Sequence, residues 1–304
     1  MSIKERALRI GKPTPLIGVA SEPATFDADR PAVILLNSGV MHHVGACRLS
    51  VKIARAVAEK GLLAVRFDYS GIGDSEPRRG SDSFEQVSLR ECGEVMDYIE
   101  RTRGVRSFIL YGLCSGADAA YNTACADSRV VATAQIDAYC YVNWRYHFEH
   151  YRRAIFRAER WRSFLSRQLG RLRGTQPTNE PHAETGIEAE FYEIPSYVRV
   201  IPPKQQVVDG LTQLVRRSVE MYVIFTGGEP HYNHAGQYRA SLSEVPFGDR
   251  LSVDYFPGTN HIITQPQHQN VIVERVAQWI ARTAEKHRAS EIDPGARPPL
   301  AAGA

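Results

Sequence analysis

With 304 residues the chain is long for one compact domain and short for two large ones, so one main domain carrying an insertion is expected. Hydrophobic residues at 43% and charged residues at 23% exclude a mostly disordered chain, and a formal charge of +3 argues against a dedicated nucleic-acid binder. Five cysteines without a C-x-x-C pair indicate neither a disulfide framework nor a zinc ribbon, so no metal or cofactor is expected. The N-terminus lacks an apolar signal-type core, and no stretch reaches the ~18 apolar residues of a membrane span. The expectation is a soluble, cytoplasmic protein with reduced thiols.

In chain order, a β-hairpin around Leu16–Ala20 is expected at a sheet edge. Buried strands are expected at Ala32–Leu36, Leu63–Phe67, Phe108–Tyr111, Val130–Ile136, Met221–Phe225 and Leu251–Phe256, most rich in β-branched or aromatic residues. Between them Leu49, Ile53 and Val57 mark one helix from about Arg48 to Lys60, and Phe84, Val87, Cys92, Val95 and Ile99 mark a second. Ile272, Val276, Trp279 and Ile280 mark a third near the end. Strand–helix alternation with continuously apolar strands predicts an α/β fold, a mostly parallel sheet covered by helices on both faces.

One connection breaks the rhythm. From Ile136 to Met221 lie roughly 85 residues, where such connections take about 2–6 plus a helix. Within it, Trp144–Arg173 holds nine arginines and two acids, and Glu180–Glu193 holds five glutamates without lysine or arginine. This predicts an inserted helical lid over 141–215, dividing a core of 1–140 and 216–286. Its charges would pair internally or, through residues such as Arg152 and Arg153, form a collar for an anionic substrate. The Pro-, Gly- and Ala-rich end, 287–304, reads as a disordered tail.

The decisive segment is SFILYGLCSGADAAY. An apolar strand runs into Gly112-Leu113-Cys114-Ser115-Gly116 and then an alanine-rich helix, a G-x-nucleophile-x-G turn with cysteine where serine is usual. The turn is tight, so the residues two before and two after the nucleophile must be small. The helix N-terminus favours a thiolate, and the Ser115 amide is placed as an oxyanion donor. A second donor is expected from Asn37-Ser38-Gly39-Val40, with the Val40 amide donating and Gly39 permitting close approach. His42 and His43 read as loop or pocket-wall residues. The general base should follow the last strand, where Pro257-Gly258-Thr259-Asn260-His261 stands; His268 is a weak competitor. The orienting acid is ambiguous. Glu229, after Met221–Phe225, is the first candidate and Asp137, after Val130–Ile136, the second. Finally, Arg66–Ser75 (RFDYSGIGDS) lacks the third glycine of a nucleotide fingerprint and reads as a structural loop that the Asp74 and Ser75 side chains fix.

These segments together resemble the α/β-hydrolases of the serine aminopeptidase-like branch: RFDYSGIGDSE matches its loop, GLCSGA its elbow and GTNH its histidine. Within that branch, NSG…VGACR…LAVRFDYSGIGDSE with a GLCxGA elbow is similar to the exosortase A system-associated hydrolases, bacterial proteins encoded beside exopolysaccharide machinery. The resemblance spans Ala32 to Ala281, the Trp144–Leu214 insert excepted. It implies an α/β-hydrolase fold with a nucleophile–acid–histidine triad mapping to Cys114, Glu229 or Asp137, and His261. Asn260 departs from the pattern, where an aspartate often precedes the histidine. The expected activity is hydrolysis of an ester or thioester through an acyl-Cys114 intermediate. The alternative is acyl transfer from a CoA or carrier-protein thioester to an alcohol or amine, as in polyester synthases with a similar cysteine elbow. A catalytically silent, partner-binding protein is the third reading.

Overall fold

The computed structural model describes residues 3–78, 82–155 and 199–292. Eight strands form one sheet: β1 (Lys4–Ile10), β2 (Leu16–Glu22), β3 (Ala32–Leu35), β4 (Ala64–Phe67), β5 (Phe108–Leu113), β6 (Val130–Ile136), β7 (Glu220–Thr226) and β8 (Leu251–Phe256). Their order is β1-β2-β4-β3-β5-β6-β7-β8. β1 and β2 form the expected antiparallel edge hairpin and β2 runs antiparallel to β4; from β4 to β8 every pairing is parallel.

Continuously apolar strands need cover on both faces, and the side chains alternate between two cores accordingly. Val33, Leu35, Ile109, Tyr111 and Leu113 point to one face, under α1 (Leu49–Glu59) and α7 (Pro266–Ile292). Ala32, Ile34, Phe108 and Leu110 point to the other, under α2 (Phe84–Arg103), α3 (Ser115–Ala126) and α5 (Lys204–Arg216). α2 starts at a capping box, in which the Ser83 hydroxyl accepts from the Gln86 amide and Gln86 reaches back to the Ser83 amide. It stops at Gly104, in left-handed geometry. Two short helices complete the order, α4 (Trp144–Ile155) and α6 (Gln237–Ser241).

Two expected boundaries move. The lid does not extend to residue 215, because Val207, Val208, Leu211 and Leu214 of α5 are buried in the main core. Their i, i+1, i+4, i+7 spacing makes α5 a covering helix of the sheet. The tail does not begin at 287 either: α7 continues through Ile292, and Arg288 pairs with Asp27. The remainder of both expected segments, 156–198 and 293–304, lies outside the described residues. Among the described residues no helix is long and apolar enough to cross a membrane.

The strand β5–helix α3 junction explains its own glycines. A Cβ at Gly112 would lie 2.1 Å from the carbonyl carbon and oxygen of Gly116, and one at Gly116 would lie 2.6 Å from the Asn37 carbonyl oxygen. Backbone cannot yield as a flexible side chain does. Gly112→Ala is therefore expected to lower the unfolding free energy in urea by about 1–3 kcal/mol. Gly93, mid-helix in α2 with nothing near its Cβ position, is the matched control. Gly93→Ala should be neutral or stabilising by up to about 1 kcal/mol; equal effects at the two sites would contradict the packing.

Candidate active site

Cys114 occupies the turn between β5 and α3 with φ 55° and ψ −119°, a strained backbone for a residue with a side chain. Its amide donates to the Ile136 carbonyl at 2.9 Å, and its carbonyl accepts from the amides of Ala117 (2.9 Å) and Asp118 (3.1 Å). The thiol-bearing residue is half-buried. Ser115 starts α3, so its amide has no helical carbonyl within reach and points with the free end of the helix.

His261 follows β8 and is brought to the same edge of the sheet. Its Nδ1 lies 2.7 Å from Oδ2 of Asp137, and Cys114 lies within electrostatic reach of its ring. These two partners, Asp137 first, lift its pKa to about 10 against the opposing effect of burial. Asp137 follows β6, with φ 52° and no solvent exposure. Its carboxylate accepts from the Thr226 amide (Oδ1, 2.7 Å) and the Thr226 hydroxyl (Oδ2, 2.7 Å).

The carboxylate on the histidine is thus Asp137, the second candidate of the sequence, and not Glu229. The reason lies in the loop after β7. A Cβ at Gly228 would lie 2.2 Å from the His261 amide nitrogen, so this loop meets the histidine with backbone. Glu229 turns elsewhere, to the His231 amide and Nδ1 (both 3.1 Å) and to Arg199 (3.5 Å). β7 still serves the pair, because its last residue is Thr226. The competing base, His268, instead hydrogen-bonds Thr259 and Gln265.

The loop after β3 lies against the elbow. The Gly39 amide donates to Ser115 Oγ at 2.6 Å, so the next amide along the loop is that of Val40, whose side chain is exposed. Gly39 was expected to give room for close approach. A Cβ there would meet nothing within 4 Å, and its glycine answers instead to a φ of 55°. Asp68 fixes this loop from beneath. Its carboxylate takes Asn37 Nδ2 (3.0 Å), the Asp74 amide (3.1 Å) and His43 Nδ1 (2.7 Å). Burial alone would raise the Asp68 pKa; His43, the Asp74 amide and Asn37 outweigh it and hold the carboxyl below its usual value. The expected loop-fixing role falls to Ser75 through its hydroxyl, but Asp74 contributes its amide rather than its side chain. His42 remains exposed beside this network. His43, Asp68 and Asp74 bring potential ligand atoms within 4.8 Å of one another, but both Asp68 oxygens already accept these hydrogen bonds. The cluster fits a structural anchor.

Arg199 escaped the sequence reading. It donates to both Asp118 oxygens (2.7 and 2.8 Å) and to the Asp137 carbonyl (2.9 Å), with its guanidinium 5.5 Å from the Tyr139 ring centre. Burial opposes its charge and Asp118 more than restores it, while Cys114 lies within electrostatic reach. The only available signal was Asp118 itself, an acid in the first turn of the elbow helix that demands a partner when buried. Arg152 and Arg153 fall in the last turn of α4, and their side chains lie outside the described residues. The other cysteines differ from Cys114. Burial pushes the Cys92 thiol up to about 12, and raises those of Cys125 and Cys140 as well; Cys47 is exposed in the short turn just before α1.

The histidine has a consequence for stability. Free imidazole titrates near 6.5, and in the fold His261 holds its proton up to about 10. The folded state therefore binds that proton more tightly. Its stabilisation is complete below pH ~6.5 and is lost as pH rises through the folded value. The Tm gap between the wild type and His261→Gln should be widest near pH ~6 and narrow steadily toward alkaline pH. A gap that stays constant across this range would contradict the pairing.

No family model and no curated protein matches the sequence. Solved structures do resemble the fold. Proline iminopeptidase of Mycobacterium smegmatis aligns with a TM-score of 0.56 at 16% identity, covering 95% of this chain and 100% of its own. A putative hydrolase of Agrobacterium vitis S4 gives 0.54 at 19% identity, covering 93% and 100%. Est1E of Butyrivibrio proteoclasticus gives 0.54 at 15%, covering 91% and 98%. At these identities the likeness speaks for architecture alone. The chain has the α/β-hydrolase fold.

Proposed function

We propose that the protein is a hydrolase that cleaves an ester or thioester through an acyl-Cys114 intermediate, with His261 moving the protons and Asp137 orienting His261. One observation carries the reading. A cysteine on a strained strand–helix turn lies within electrostatic reach of a histidine whose Nδ1 lies 2.7 Å from a fully buried carboxylate.

The chemistry follows from these positions. The Cys114 sulfur attacks the acyl carbonyl while its proton resides on His261. Negative charge develops on the carbonyl oxygen, where the Ser115 amide and, from the loop after β3, the Val40 amide are the donors in this reading. The imidazolium then protonates the departing alcohol or thiol. Acyl-Cys114 is itself a thioester. Water attacks it as His261 takes the water's proton, and the free acid leaves. Asp137 keeps its charge throughout, because its task is to fix the ring tautomer and stabilise the imidazolium. Where an alcohol or amine replaces water, the same intermediate gives acyl transfer. A thioester donor such as acyl-CoA suits that route, since sulfur-to-sulfur exchange is nearly balanced in energy. In that case the arginine-rich stretch around Arg152 and Arg153 would meet the donor's phosphates.

Iodoacetamide should alkylate Cys114 at pH ~7 at least tenfold faster than Cys47, Cys92, Cys125 or Cys140. His261→Ala should remove that advantage. Equal labelling of all five sites would end the reading.

Loading the protein with an activated acyl ester and following intact mass tests the rest. An adduct of one acyl group, absent in Cys114→Ala, is expected to form and to decay in water. Decay should slow by about 10²-fold or more in Asp137→Asn, in which the ring loses its orienting charge. An adduct stable in water that is discharged only by an added alcohol or amine would assign transfer. No adduct at Cys114 under any donor would refute both.

A further inference from the structure

Asp137 stands at φ 52°, a left-handed backbone that is strained for a residue with a side chain. Such a turn persists only where its surroundings hold it. Three contacts do so: the Asp137 amide donates to the Ile224 carbonyl at 2.8 Å, Thr226 donates twice to the carboxylate, and Arg199 donates to the Asp137 carbonyl at 2.9 Å. The first two belong to the neighbouring strand. The third differs, because the same guanidinium also grips both oxygens of Asp118, whose amide in turn bonds the Cys114 carbonyl. A planar fork is suited to this grip, and a lysine ammonium is not.

We propose that Arg199 is a positioning residue: by holding Asp118 on the nucleophile's helix and the Asp137 carbonyl on the acid's turn, it sets the distance between Cys114 and the carboxylate that orients His261. Arg199 touches no reacting atom in this assignment and acts through the placement of Asp137. The proposal rests on the reading of Cys114 and His261 as nucleophile and proton carrier.

The test compares Arg199→Lys and Arg199→Ala with the full-length wild type by acyl-ester turnover and by proton NMR of the His261 Nδ1–H, a downfield resonance assigned by its loss in His261→Gln. Both variants should lose about 10–100-fold in kcat with KM within about twofold, as expected for misplaced reacting groups. Both should weaken or broaden the Nδ1–H resonance. Arg199→Lys, which keeps the charge and the far-UV spectrum, guards against a mere folding defect, and Asp118→Asn should move both readouts in the same direction. Retention of kcat and of the resonance in Arg199→Lys would overturn the proposal. So would a kcat loss that follows only the unfolded fraction measured in urea. The resonance separates this proposal from the reading beneath it: its loss on Arg199 substitution, in a protein that forms no acyl adduct, would sustain the positioning role and remove the function.

Discussion

A carboxylate with no solvent exposure is costly unless every lone pair is answered, and Asp137 is answered three times, by the Thr226 amide, the Thr226 hydroxyl and His261. Each partner comes from a different demand of the fold. Thr226 can reach Asp137 because β6 and β7 are parallel neighbours whose carboxyl ends emerge side by side. His261 arrives because β8 lies next to β7 and ends at the same edge. Cys114 sits one strand to the other side, at the end of β5. The parallel run from β5 to β8 thus delivers four chemically distinct residues to one edge of the sheet.

Much of this was legible in the residues. The strands announced themselves by apolar runs, the elbow by two glycines around a cysteine, and His261 by its place between the last strand and the closing helix. Each signal is local, set within a few residues by packing or by strain. The acid was not legible, because both Glu229 and Asp137 follow a strand at the correct edge. The choice between them depends on what faces each side chain, and that is a long-range fact. Of the two glycines before Glu229, Gly228 lets the His261 backbone approach and Gly227 the Pro257 backbone, so this loop meets the histidine with backbone while the glutamate turns to His231 and Arg199. Thr226, one strand away, supplies the donors that Asp137 needs.

The same distinction governs the expected lid. The long connection and its charge patterning departed from the α/β rhythm, but averaged over a window the pattern carried the expected boundary too far. Buried Val207, Val208, Leu211 and Leu214 draw α5 into the core despite its polar neighbours. Arg199 shows the converse. Its surroundings in sequence suggest no role, and only the folded chain brings it against Asp118 and Asp137. Residues that bridge two turns have no local pattern to betray them.

A cysteine in this elbow changes the order of proton movements that a serine would require. With its pKa near 10, His261 is already protonated at neutral pH. In the reaction proposed for Cys114 it would have no need to act as a base before the sulfur attacks, and its first task would be that of an acid toward the leaving group. In that proposed reaction acylation would take away the contribution of Cys114 to the raised His261 pKa. Asp137 remains, but the imidazole becomes easier to deprotonate than in the resting protein. The group thus turns from acid to base when water or another acceptor must be activated. In this proposal substrate chemistry itself resets the histidine, and Asp137 would keep the ring in place for both steps.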